Sequence, residues 1–219
     1  MKNLIVVLFT LSLGICQAQT THHSSARRSS NRGGKAPAAC SQFNLDPNGD
    51  KPLKEVSTPP TSRCSLGNSN GFRLPDPNCT PGAINPSITE DVLRNPHFTT
   101  KCVRDGATTA QQKNATYKWY ALSKPANNTG QTQVCELDHL ISLELGGADT
   151  LDNLWPQCGP SGADLHERFF KRKDTVENYL AKQVKDGKMN LSDAQKGIAS
   201  DWTQYLKDAE AACPGGRCN

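Results

Sequence analysis

The cysteines constrain this chain most. Nine occur among its 219 residues, and eight of them lie beyond residue 18: Cys40, Cys64, Cys79, Cys102, Cys135, Cys158, Cys213 and Cys218. The ninth, Cys16, belongs to a leader in which Lys2 precedes an apolar run from Leu4 to Leu13. Cys16-Gln17-Ala18 then offers small residues at the two positions a signal peptidase reads. A bilayer span takes about 20 apolar residues, more than this run supplies, so residues 1–18 read as a signal peptide and the chain as secreted or periplasmic. An even cysteine set in an oxidising compartment reads as up to four disulfides. A zinc knuckle would want Cys-x-x-Cys pairs, and the sequence has none. Cys213-Pro-Gly-Gly-Arg-Cys218 closes on itself through a flexible turn, and Cys135 with Cys158 brackets a hairpin-sized unit. Cys40 and Cys64 tie down part of the region that follows the signal.

That region, residues 19–78, is rich in Ser, Asn, Pro, Gly and Arg and poor in apolar side chains. It reads as a flexible basic leader, because it buries too little surface to offset the entropy of ordering. His22-His23 reads as solvated tail, and Arg27, Arg28 and Arg32 as a solubilising stretch or a rest for an anionic polymer. Charge is divided unevenly. From Gln19 to Cys79 there are eight Lys/Arg and four Asp/Glu; from Thr80 to Asn219 there are sixteen against seventeen. The folded body is therefore near neutral, and overall charge gives it no claim on nucleic acid; only a local patch does.

The body reads as residues 79–210, closed by a short disulfide tail at 211–219. Thr80-Pro-Gly-Ala-Ile-Asn-Pro is turn chemistry, and Thr89-Glu-Asp-Val-Leu opens a short helix that Pro96 stops. Tyr117 to Leu122 packs on the core as helix or strand. Val134 to Ile141 reads as a strand, Gly146-Gly147 as a turn, and Asn153 to Gln157 as a second strand that Pro156 ends. Phe169, Val176, Leu180 and Val184 recur on one face of a helix that Gly187 terminates. Ser192 with Gln195 makes a capping-box pattern for a further helix striped by Ile198, Trp202, Tyr205, Leu206 and Ala209. The class is α+β.

Chemistry concentrates around the hairpin. Asp138-His139 sits in the strand, Asn153 lies fourteen residues after His139, and His166 thirteen after Asn153 at the head of the helix. Asp138-His139-Leu-Ile-Ser-Leu-Glu-Leu-Gly-Gly with Asn153-Leu-Trp-Pro resembles the His-Asn-His endonucleases of the His-Me finger (ββα-metal) superfamily. A bacterial group of exported relatives shares Thr80-Pro-Gly-Ala-Ile-Asn-Pro, Lys173-Asp-x-Val-Glu-Asn-Tyr-Leu, Gly187-Lys, Ala194-Gln and Asp201-Trp202. The likeness runs roughly from Cys79 to Leu206. Two departures stand out: Cys158 to Arg168 looks like an insertion, and Lys185 stands where relatives often carry Cys.

The resemblance implies a ββα-metal hairpin and helix. It casts His139 as general base, Asp138 as metal ligand, Asn153 as the catalytic-loop residue that holds the geometry, and His166 as helix ligand, with Asp164 as substitute. The residue types suit the chemistry on their own. An imidazole takes a proton from water near neutral pH, its second nitrogen fixed by a partner for which a backbone carbonyl is expected. A divalent cation, Mg2+ first with Mn2+, Ca2+ and Zn2+ open, neutralises phosphate charge. Adjacent strand residues face opposite ways, so Asp138 and His139 in one site call for a bulge. Arg168, Lys171, Arg172 and Lys173 are candidate phosphate contacts, weighed evenly against a solvated helix face. Tyr117, Trp119 and Tyr120 read as core before base-stacking, and Trp155 as core. The expectation is a metal-dependent endonuclease acting on DNA, with RNA open, low sequence specificity and no membrane association once the signal is removed. An inhibitor or immunity protein is left open. The rivals are a non-catalytic nucleic-acid-binding module and a protein-interaction module on a degenerate scaffold.

Overall fold

The computed structural model describes residues 38–43, 45, 63–104 and 110–218, all within one compact unit, Arg32–Asn219. The signal peptide, His22-His23 and Arg27, Arg28 and Arg32 lie outside the described residues. Among those described, the fold is α+β: two small antiparallel sheets, five α-helices and several single 3-10 turns.

The first sheet pairs β1 (Gly67–Ser69) with β2 (Phe72–Leu74). Asn70 and Gly71, both at positive φ, make the tight turn that Asn-Gly favours between two strands. The flexible leader was expected to extend to Asn78, yet residues 63–78 are built into the body. Cys64–Cys79 closes this segment, and Phe72 packs edge-on against Trp202 at 5.0 Å and against Phe169 at 5.1 Å. Composition undervalued one aromatic and one disulfide.

α1 (Glu90–Arg94) starts at Thr89, whose hydroxyl accepts from the Val92 amide, and ends at Asn95, just ahead of Pro96. α2 (Ala110–Trp119) settles the Tyr117 segment as helix; Tyr117, Trp119 and Tyr120 are buried. The second sheet pairs β3 (Cys135–His139) with β4 (Leu154–Cys158), with Cys135 opposite Cys158 and His139 opposite Leu154. Pro156 sits inside β4, opposite Leu137, and does not end it. In a two-stranded sheet one edge of each strand carries no ladder, and a residue without an N–H fits there.

α3 (Phe169–Lys185) buries Phe170, Val176, Leu180, Ala181 and Val184. α4 (Leu191–Asp201) is N-capped at Asn190 without a side-chain bond, so the expected capping box does not form. Gln195 donates instead to the Leu145 carbonyl at 2.8 Å. The single last helix expected from the stripe is broken: Asp201 turns its carboxylate to the Thr203 amide, a 3-10 turn covers Trp202–Tyr205, and α5 (Leu206–Ala212) follows. One core gathers α3, α4, α5, Leu93 and the loop residues Ile141, Leu143 and Leu145. A second collects Trp155, Leu154, Leu140, Leu151, Trp119 and Tyr120. Each large apolar side chain so buried contributes roughly 1.5–3 kcal/mol.

The disulfides are Cys40–Cys102, Cys64–Cys79, Cys135–Cys158 and Cys213–Cys218. Sequence separation runs from 62 residues to 5. On the chain-entropy account these extremes contribute about 4 and about 2 kcal/mol, so the C-terminal staple is the least needed for global stability. Four disulfides fit an oxidising compartment, and among the described residues no helix is long and apolar enough to cross a membrane.

Candidate active site

β3 presents Glu136 and Asp138 toward α3, while the side chain of His139, the last strand residue, leaves on the other side toward the following loop. Pairing with β4 is regular through this dipeptide, so the bulge that two functional neighbours called for is not there. Both residues nevertheless line one cavity of about 320 Å³, with Glu136, Ser142, Glu144 and Asp174. Position at the end of the strand does what a bulge was expected to do.

His139 is buried, and its Nε2 lies 2.8 Å from Oδ1 of the fully buried Asp149. The orienting partner is thus a carboxylate, where a backbone carbonyl was expected. With Asp149 ionised, Nε2 carries the proton and donates, leaving Nδ1 as the nitrogen able to accept one.

Asn153 makes the loop between these two residues. Its Oδ1 accepts from the Ile141 amide at 2.9 Å, and its Nδ2 donates to the carbonyls of Ile141 at 2.9 Å and Ala148 at 2.8 Å. Both amide donors are spent on backbone, so the Asn153 side chain holds the loop in place. Gly147 is required by the same closure: a Cβ there would stand 1.8 Å from the Ile141 carbonyl oxygen and 2.8 Å from Asn153 Nδ2. The Thr80–Pro86 stretch braces the loop from outside. The Asn85 amide donates to Gly146 O at 2.8 Å, and the Ala148 amide to Ala83 O at 2.9 Å.

Asp138 is held from α3. The Lys173 ammonium lies 2.9 Å from Asp138 Oδ2, donates to the His139 carbonyl at 2.6 Å and pairs with Glu177. Two of its donors make hydrogen bonds, to the His139 carbonyl and Glu177, while Asp138 Oδ2 is held as an ion pair without a hydrogen bond of its own. Lys173 is 0% exposed and reaches no solvent-borne phosphate, contrary to the surface role expected of it. Burial works against its charge, but Asp138 and Glu177 outweigh that and hold its pKa above the ordinary lysine value.

The other expected phosphate contacts are also engaged. Arg168 is buried and donates to the Pro160 carbonyl, Lys171 pairs with Asp174 at 2.6 Å, and Arg172 with Glu167 and Glu210. His166 is 75% exposed in its side chain, stands 3.4 Å from Glu167, and lines a separate cavity of about 500 Å³. Asp164 is exposed at the start of the same 3-10 turn. The hairpin and α3 therefore bring Asp138, His139 and Asn153 together and leave His166 and Asp164 outside.

Sequence reasoning missed the carboxylates. Burial pushes the Glu136 carboxyl up to about 7, helped by Asp138 and Asp174 and opposed by Lys171 and Lys173. Burial likewise raises Glu144 and Asp174, and it raises Glu177 well above the ordinary range. Asp174 and Glu177, three apart on α3, were legible as one helix face. Asp149 follows the Gly-Gly turn, where loop closure alone brings it to His139. Among the described residues no group of three or more His, Cys, Asp or Glu stands as a ready metal-ligand set. No protein-family model, curated protein or solved structure matches the chain.

Proposed function

We propose that this chain is an exported His-Asn-His-type endonuclease, a metal-dependent phosphodiesterase that cuts DNA, and RNA as a second substrate, with low sequence specificity. One observation carries the reading: the His139 imidazole, oriented by buried Asp149, lines the same cavity as Asp138 and its neighbouring carboxylates. In this reading β3, β4 and α3 would serve as the hairpin and helix of a ββα-metal core.

The donor chemistry fits a hard divalent cation, Mg2+ or Mn2+ before Zn2+. Asp138, Glu136 and Asp174 line one cavity, and carboxylate oxygens suit such ions. They are not a ready ligand set without it, so the cation would have to draw them together against the mutual repulsion of their carboxyls. His166 drops out of the ligand set in this reading because it lines another cavity. When bound, the cation supplies neutralisation of phosphate charge and stabilises the departing 3′ oxygen. His139 Nδ1 takes the proton of the attacking water. Asp149 keeps the opposite ring nitrogen protonated and offsets the charge the ring gains. Asn153 keeps Asp149 in place, and Lys173 fixes Asp138 against α3.

A second reading, a non-catalytic nucleic-acid- or protein-binding module, draws on Lys173, whose ammonium already stands against Asp138. Supercoiled plasmid incubated with purified mature protein separates the two. Nicking in Mg2+ or Mn2+ that EDTA abolishes supports the nuclease; retention of plasmid without nicking under every metal supports the module.

A further inference from the structure

We propose that Arg104, Lys185 and Arg217 form the grip on the nucleic-acid backbone, with the Cys213–Cys218 loop serving to hold Arg217 beside the active site; this rests on the nuclease reading above. The four cations that the sequence offered for this task are bound to carboxylates or a carbonyl. Arg104, Lys185 and Arg217 are exposed, and among the described residues none of them has a carboxylate at ion-pair distance.

Their placement follows α3. Three cavities meet at Asn178, which lines all of them: the one holding His139, a second of about 500 Å³, and a third of about 530 Å³. Arg104 lines the first, Arg217 the second and third, and Lys185 the third. From Lys171 to Lys185 the helix rises about 21 Å at 1.5 Å per residue. That length equals the axial rise of about six base pairs of a duplex, at 3.4 Å of helix axis per phosphate of one strand. The groove's exposed acids are already paired, Glu167 and Glu210 with Arg172 and Asp186 with Lys182 and Lys188. Its other acids are half-buried or buried, which leaves the three exposed cations to meet a strand.

The loop is built for position. Gly215 and Gly216 take φ of 65° and 76°, which L side chains rarely adopt, and a disulfide ties its ends. Asn178 Nδ2 donates to the Gly216 carbonyl at 3.1 Å, clamping the loop to the helix residue where the cavities meet. Pro214–Gly216 thereby delivers Arg217 to a fixed place. A staple that closes so short a loop stabilises the whole fold least, which leaves local placement as its effect.

The test measures fluorescence anisotropy of a labelled twelve-base-pair duplex in magnesium buffer at several salt concentrations, in a His139→Ala background that prevents cutting. Replacing Arg104, Lys185 and Arg217 together by Ala is expected to weaken binding at least tenfold. It should also flatten the slope of log K against log salt by about 0.9 for each cation removed. Lys196→Ala, an exposed cation on α4 away from these cavities, controls for net charge and leaves both unchanged. Unchanged affinity and slope in the triple variant, with wild-type protein cutting plasmid, overturns the grip and spares the nuclease reading. Loss of binding in the triple variant, with wild-type protein that binds but never cuts, supports the grip and overturns the nuclease. A parent protein that neither binds nor cuts overturns both.

Discussion

His139 Nε2 lies 2.8 Å from Asp149 Oδ1, although ten residues separate them. The pair exists because the intervening loop is folded back on itself by Asn153 and by the absence of a side chain at Gly147. A run of hydrophobic residues and glycines is thus the means by which an acid reaches an imidazole.

Replacing Asp149 by Asn is expected to lower the rate of phosphodiester cleavage roughly 100-fold or more, since an amide no longer enforces the proton on Nε2. Single-turnover cleavage of a labelled duplex measures this. The loss should fall on the chemical step, with duplex affinity unchanged.

Asn153→Ala removes three hydrogen bonds and strands an amide and two carbonyls in the interior. A loss of about 2–4 kcal/mol in unfolding free energy is expected, read from denaturant melts. Gly147→Ala should be at least as damaging, because its new Cβ has no room beside the Ile141 carbonyl.

Lys173→Met distinguishes a buried tether from a phosphate contact. Removing the one cation shared by Asp138 and Glu177 leaves two acids without a partner ammonium, a change expected to cost about 3–5 kcal/mol. The salt dependence of duplex binding, by contrast, should keep its slope, because Lys173 touches no solvent. A slope reduced by about one would return Lys173 to the phosphate surface.

How far the sequence disclosed this molecule depends on the kind of signal. Two disulfides, Cys135–Cys158 and Cys213–Cys218, were readable from local spacing, and α3 from its apolar period, because those signals act over short distances. Cys40–Cys102 spans 62 residues, and no local pattern fixes such a pairing. The hairpin at Asn70-Gly71 carried its turn signal openly, but the surrounding polar composition hid it. Asp138, His139 and Asn153 were found because they sit on one hairpin. Asp149 and the Lys173 tether were not, since loop closure and burial on α3 are tertiary facts. The same reason removed Lys173 from the surface: on a helix, sequence shows that a lysine is present but not which face the core claims.

Asp76 offers a test by pH. Its carboxylate accepts the amides of Ser65 and Asn78, each at 2.9 Å, and these bonds lower its pKa from 3.8. A carboxyl depressed in the folded state adds stability above the unfolded value and loses it as pH falls through the folded one. Wild-type protein should therefore lose stability more steeply than Asp76→Ala as pH drops below about 4. Melting temperatures of the two proteins across that range measure the difference, and parallel curves would remove Asp76 from the account.

The most direct trial is the rate of supercoiled-plasmid nicking by purified mature protein in Mg2+, wild type against His139→Ala, with circular dichroism showing both folded alike. The expected result is nicking by the wild type and a fall of roughly 100-fold or more in the variant. A folded variant that nicks as fast as the wild type would contradict the assignment of His139 as the base.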